Sequence, residues 1–310
     1  MKMPAVLDRL RARFDELTAP PTAAVAVELA AGRVVAARLG GSGDLRAGLR
    51  RLPAEAVVPS AVRANLGDPE AVAAALRALL AELEAQGMAV TLLLPDLTAR
   101  LSVLEFEALP SRREEVESLA RFRLRKSLPF AEEQAAVSCQ VISPTRLLVA
   151  LADRVRLDEY ENCLEAAGAR AATVLPSGLA CLAAQPLLDH GALLLRSEPG
   201  CLTTAFCWQG RVEFFRAVEV MGQASFEDVF PSVAFFRDRI EQAEPVGAAT
   251  ESTWLLYAAG LSPELMTRLQ DEAPWASLRT AELAASPVGG EVAAPAQLLA
   301  VAGALRGRFA

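Results

Sequence analysis

Few side chains in this chain are equipped for chemistry. There is one histidine, His190, so neither a histidine pair for a metal nor a histidine-based triad can be assembled. The two lysines, Lys2 and Lys126, stand in no Gly-Lys-Ser/Thr tripeptide, which excludes a P-loop. Five cysteines, at 139, 163, 181, 201 and 207, form no CxxC pair and read as reduced thiols packed like small hydrophobes. Cys139 and Cys163 lack a histidine to activate them. The acids Glu105/Glu107 and Glu114/Glu115/Glu117 could supply general acid and base groups. On one exposed face they read as solvated charge. Ser177-Gly178 lacks a G-x-S-x-G setting. The expectation is a chain with no catalytic residue and no metal site, not an enzyme.

Bulk properties narrow the class further. The 310 residues are 53% apolar, which suits one large or two ordinary domains with a full core and excludes general disorder. A net charge of −7, from 31 basic and 38 acidic residues, argues against a nucleic-acid partner. Mean hydropathy is +0.27, yet no apolar run is long enough to span a bilayer. Residues 1–17 alternate charged and apolar positions, so no secretory leader is expected. Within 4–17, Val6, Leu7, Leu10, Phe14 and Leu17 share a helical face, with Arg9, Arg11 and Arg13 around much of the rest. That segment is either a helix packed on its own domain or a membrane-surface module through residues 2–17.

The elements behind these residues alternate between strand and helix. Residues 23–41 read as two strands turning at Ala31-Gly32, 69–86 as a helix starting at Pro69, and 88–94 as a strand covered on both faces. A strand at 101–108, a helix at 112–127 broken by Leu128-Pro129-Phe130, and a hairpin at 136–152 follow. A helix at 154–167, a strand at 171–175 and a helix at 177–188 complete this half. The pattern then restarts with strands at 192–196, 202–208 and 211–217, a helix at 225–242, a strand at 254–258 and a helix at 263–272. A loose linker at 286–294 precedes a closing helix at 295–307. Hairpin followed by helix occurs twice, at 23–86 and 202–242, which suggests two related α/β halves. Trp208 and Phe214/Phe215 read as core. Phe230, Phe235 and Phe236, on one helix, are divided between core and interface.

Residues 92–130 resemble PilM-like proteins of type IV pilus assembly: a strand ending in Pro95, a second strand, and a Glu-rich helix closing in Leu128-Pro129-Phe130. The likeness continues through Tyr160 and Ala167-Gly168, the strand Gly210–Arg216, and Ala300–Gly307 at the end. The resemblance implies an actin-like, duplicated RNase H-like two-domain fold: an N-terminal helix at 1–19, domain 1 at 20–188 with an inserted subdomain at about 96–155, a shortened domain 2 at 189–290, and a C-terminal helix at 291–310 returning to domain 1.

PilM-like proteins bind ATP and magnesium between the halves, with an acid and glycines in each phosphate loop, since backbone approaches a phosphate closely only without a Cβ. Here the first loop reads Glu28-Leu29-Ala30-Ala31. The second carries Arg196 and Glu198 where an acid and a glycine are expected. The adenosine-side motif reads Ala258-Ala259-Gly260, and the lobe over the adenine has little room between Arg216 and Trp254. A degenerate nucleotide site follows, with no cofactor expected. The resemblance further implies a cytoplasmic scaffold at the inner membrane, with no transmembrane segment of its own. Its partners would be the N-terminal peptide of a PilN-like membrane protein and other pilus assembly proteins. Arg100, Arg121, Phe122 and Phe130 are the candidates for the peptide groove. A type II secretion component is a close variant; an actin-like ATPase is the alternative.

Overall fold

The computed structural model describes residues 23–41, 43–184, 191–208, 211–243, 254–289 and 291–306. The expected helix at 4–17, His190 and the tip of the 209–210 turn lie outside them.

The first half opens as an antiparallel meander of β1 (Val25–Ala30), β2 (Arg33–Leu39) and β3 (Leu45–Arg51). Helix α1 (Pro69–Glu82) starts with Pro69 in its first turn and with the Asp68 carboxylate accepting from the Ala71 N–H at 3.0 Å. It ends four residues earlier than its sequence pattern suggests, because Glu84 turns into a left-handed conformation (φ 55°). Strand β4 (Ala89–Leu94) then runs parallel to β1.

The inserted subdomain follows. It consists of β5 (Ala99–Glu105), α2 (Arg113–Leu124), β6 (Ala135–Ser143) and β7 (Arg146–Asp153), with the strands ordered β5-β7-β6. Helix α2 lays Val116, Ala120 and Leu124 on Leu147, Val149 and Leu151 of β7. Helix α3 (Arg154–Ala166), β8 (Arg170–Pro176) and the short α4 (Ser177–Ala183) return to the main body.

The second half repeats the scheme. It runs β9 (Ala192–Glu198), β10 (Cys201–Trp208), β11 (Arg211–Glu219), α5 (Phe226–Ala243), β12 (Trp254–Ala259), α6 (Pro263–Glu272) and β13 (Ala276–Thr280). The order β3-β2-β1-β4-β8 in the first sheet matches β11-β10-β9-β12-β13 in the second. In each, the first strand of the meander pairs parallel with the strand after the helix. The repeat therefore starts at residue 192 rather than 202, and its unit is a three-stranded meander rather than a hairpin. The 286–294 stretch is not only a linker: β14 (Ser286–Pro287) adds to the edge of β3, and the Val288 N–H donates to the Ala47 carbonyl at 2.9 Å. Helix α7 (Pro295–Arg306) closes the described chain.

Strand alternation sorts every residue into a layer. Val25, Val27 and Leu29 of β1 face α1 and α3, while Ala26 faces α4 and α7. In β9, Leu193 and Leu195 pack in the outer layer with α5 and α6, while Ala192 and Leu194 share the inner core with α4 and α7. The two sheets thus sandwich α4 and α7 between them. Inner-face positions near the C-terminal ends of β1 and β9 look at each other across that layer.

The loop before α1 is held by Asn65, which is fully buried. Its Oδ1 accepts from the Ser60 N–H (2.9 Å), the Thr98 hydroxyl (3.0 Å) and the Tyr160 hydroxyl (3.0 Å), and its Nδ2 donates to the Ser60 and Arg63 carbonyls. Asn65→Ala strands several of these groups without water. A loss of about 2–3 kcal/mol in urea-unfolding free energy is expected. A loss below about 0.5 kcal/mol would mean that solvent reaches the loop.

Candidate functional site

The inner-face position after Ala26 on β1 is Glu28, and the one after Leu194 on β9 is Arg196. Both are buried, with Glu28 at 0% and Arg196 at 3% exposure. Alternation therefore aims an acid from the first half at a guanidinium from the second. Arg196 Nη2 lies 2.5 Å from Glu28 Oε1 and 2.9 Å from Glu198 Oε1; Nη1 lies 3.5 Å from Asp96 Oδ2. Arg33, at the start of β2, closes the set by gripping both oxygens of Glu198, at 2.6 and 2.8 Å. Asp96 follows Pro95 directly at the end of β4. Its Oδ2 accepts from the Thr203 hydroxyl of β10 at 2.6 Å and its Oδ1 from the Gly178 N–H at 2.7 Å. A Cβ on Gly178 would fall 2.6 Å from Asp96 and 2.7 Å from Thr203, so only glycine brings that N–H close enough.

This cluster, three carboxylates around two guanidiniums, spans both halves. Glu28, Asp96 and Arg33 belong to the first; Arg196, Glu198 and Thr203 to the second. Burial pulls the Arg196 pKa down, but Glu198, Glu28 and Asp96 outweigh it and hold the guanidinium charged, well above its ordinary value. Burial pushes Glu198 up, and Arg196 with Arg33 more than reverses this, leaving it below 4.5. Asp96 goes the other way: burial raises it above 3.8 despite Arg196, Thr203 and Gly178.

These directions set the pH response. Glu198 holds its proton less tightly folded than unfolded. Its stabilisation is complete above pH 4.5 and is lost as the pH falls through its lower folded value. Asp96 holds its proton more tightly when folded, so its ionisation costs stability at neutral pH. Glu198→Gln is expected to lower the unfolding free energy at pH 7 by about 2–4 kcal/mol, with the deficit shrinking on acidification. Asp96→Asn, which removes the excess negative charge, is expected to cost less. Equal losses for the two, unchanged with pH, would contradict this electrostatic division.

The remaining expected nucleotide-site positions surround this cluster. Ala30 ends β1, Ala31 begins the turn, and Ala259 pairs with Arg196 in register. Gly260 has a left-handed φ of +73°, and a Cβ there would lie 2.2 Å from the Ser197 carbonyl oxygen, so this glycine closes the β12 turn onto β9. The cavity left among Glu28, Ala30, Asp96, Ser177, Arg196 and Glu198 is about 20 Å³, room for one water. Glu28 Oε2 and the Ser177 hydroxyl border it without a hydrogen-bond partner. Among the described residues, Ser177 Oγ has no hydrogen-bond partner to act as its base, and burial raises the Cys139 and Cys163 thiols to about 11, far from a reactive thiolate. Among the described residues, no group of three or more His, Cys, Asp or Glu side chains is placed to hold a metal ion. The three carboxylates converge on Arg196 instead.

A second cleft, of about 370 Å³, lies where the subdomain meets the ends of β4 and β8. Leu94, Leu157 and Val174 line it together with Ala136, Ser138 and Ala150, and with Glu117, Arg121, Arg154 and Glu161. Strand β6 is an edge strand of its sheet. Arg121 is anchored there, pairing with Glu117 at 2.9 Å and donating to the Ala135 carbonyl at 2.9 Å. Of the four groove candidates, only Arg121 lines this cleft. Arg100 is exposed on β5, Phe122 points to solvent, and Phe130 packs on the subdomain core. On α5, Phe236 is buried against Phe206 and Trp254, whereas Phe230 and Phe235 are partly exposed. Sequence reasoning did not pick out Arg33, Asp96 or Thr203 for the cluster. Asp96 had a local signal: an acid just past the carboxyl end of a buried parallel strand, where open α/β sheets gather their sites.

Two duplicated sheets with identical strand order, meeting at the ends of their first strands, are a recognisable architecture. The structure matches that of the PilM–PilN type IV pilus biogenesis complex with a TM-score of 0.67 and 15% identity, over 93% of this chain and 97% of that one. The chain has the two-domain actin-like fold. The same actin-like frame matches the cytoplasmic domain of EpsL, an inner membrane component of the type II secretion system of Vibrio cholerae. That match has a TM-score of 0.50 and 15% identity, over 92% of this chain and 95% of that one. No protein-family model and no curated protein matches the sequence. Among the described residues, no helix of this actin-like chain is long and apolar enough to cross a membrane.

Proposed function

We propose that this chain is a non-enzymatic adaptor of a type IV pilus or related secretion assembly at the cytoplasmic face of the inner membrane. It holds the N-terminal cytoplasmic peptide of a PilN-like membrane protein and has given up nucleotide binding. The observation that carries this reading is Arg196. It occupies the junction of the halves, neutralised by Glu28, Asp96 and Glu198, and leaves about 20 Å³. Sites for small molecules need roughly 300–1,000 Å³. A triphosphate entering there would have to break four ion pairs and then face three carboxylates. The residues present do not fit ATP and magnesium.

The cleft beside β6 supports the peptide half of the proposal. An apolar lining next to an edge strand suits an extended segment that adds main-chain hydrogen bonds to the strand and places alternate side chains in the cleft. The mixed charges of Glu117, Arg121, Arg154 and Glu161 could fix its direction. The test is fluorescence anisotropy with the labelled N-terminal cytoplasmic peptide of a candidate PilN-like membrane protein. Saturable binding at micromolar concentration is expected, against none for a scrambled peptide. Equal binding of both peptides, or no binding, would overturn the reading.

A further inference from the structure

We propose that the C-terminal turn of α2 and the residues behind it dock on an anionic lipid surface. Across residues 120–131 the sequence holds four cations, Arg121, Arg123, Arg125 and Lys126, and no acid, in a chain of net charge −7. Arg121 is used internally, on Glu117 and the Ala135 carbonyl. The other ion pair on this helix joins Arg112 to Glu115, and among the described residues none engages Arg123, Arg125 or Lys126.

In their midst Phe122 is 68% exposed, well beyond the 38% and 39% of Phe230 and Phe235. The Arg125 guanidinium sits 5.5 Å from the centre of the Phe122 ring, so ring and cation are presented together. Helix-terminal cations alone would be ordinary, since they complement the helix dipole. An exposed aromatic ring gains nothing from that dipole.

The patch lines neither the cleft beside β6 nor a further cleft, of about 630 Å³, that lies between α1 and α3. It is an exposed helix end rather than a groove. An exposed ring with flanking cations suits a lipid interface: the ring enters at headgroup depth while the cations meet phosphates. The proposal does not depend on the peptide cleft, because the two surfaces share only α2.

Co-sedimentation of the full chain with phosphatidylcholine vesicles, with and without phosphatidylglycerol, tests it. Binding is expected only with the anionic lipid, and is expected to fall steeply with salt. The triple variant Phe122→Ser, Arg125→Glu, Lys126→Glu, checked for native circular dichroism, is expected to bind roughly tenfold more weakly or worse. The milder pair Arg123→Ala, Lys126→Ala is expected to lie between. A chain lacking residues 2–17, which carry Arg9, Arg11 and Arg13, is expected to retain the dependence on the patch. The proposal fails if vesicles of either composition bind equally or not at all. It also fails if deleting 2–17 abolishes binding that the triple variant keeps, or if poly-glutamate binds the patch while vesicles do not.

Discussion

Arg196→Ala is expected to lower the free energy of unfolding by about 3–5 kcal/mol, the largest loss for any single polar side chain here. The reason is the company Arg196 keeps. Its side chain is 3% exposed, Glu28 is 0% and Asp96 1%, so removing the guanidinium leaves carboxylates facing one another without solvent or counter-charge. Arg33 remains, but it is committed to Glu198. The triple variant Arg196→Met, Glu28→Gln, Asp96→Asn removes the charges together and is expected to recover most of the loss, since a buried ion cluster gains little over a well-packed neutral one. Urea denaturation followed by circular dichroism measures both. If Arg196→Ala costs under about 1 kcal/mol, the cluster is solvated and loosely held. Neither variant is expected to acquire ATP binding, because neither restores a glycine-lined phosphate loop.

Ser138→Trp is expected to abolish most peptide binding, by at least about thirtyfold, or 2 kcal/mol. Ser138 is exposed, sits on β6, an edge strand of its sheet, and lines the cleft along with Leu94 and Val174. An indole there fills the space an incoming side chain would need, without touching the core between α2 and β7. The melting temperature should therefore stay within about 2 °C of the parent. Phe122→Ser, exposed on α2 and outside the lining of the cleft, serves as the control and should leave peptide affinity unchanged. A Ser138→Trp protein that bound the peptide normally would move the docking site elsewhere.

Much of the frame was legible because each element carries its own local signal. Pro69 and the recurrence of apolar residues marked α1; the unbroken apolar run through Leu94 marked a doubly covered strand. β3 carried a signal too, with Leu45, Ala47 and Leu49 alternating against Arg46 and Arg50, yet Gly40, Gly41 and Gly43 just before it suggested an exit loop. β13 and β14 are short edge pieces, stabilised by pairing with β12 and β3 rather than by their own sequence. At the site, Glu28 and Arg196 could each be flagged, but not as partners. They lie 168 residues apart, and only the stacking of two sheets with matched strand order brings them together. The same holds for Arg33 with Glu198, 165 apart, and Asp96 with Thr203, 107 apart. Phe130 shows the opposite difficulty: a motif residue that could line a groove turns its ring into the subdomain core.

Calorimetric titration of the full chain with Mg-ATP tests most directly whether the cleft between the halves has been closed by its own ion pairs. No saturable heat, and no rise in melting temperature, is expected up to millimolar nucleotide. Stoichiometric binding at micromolar concentration, lost on replacing Glu28, would show that the Arg196 cluster opens to admit a nucleotide and would contradict the adaptor reading at its base.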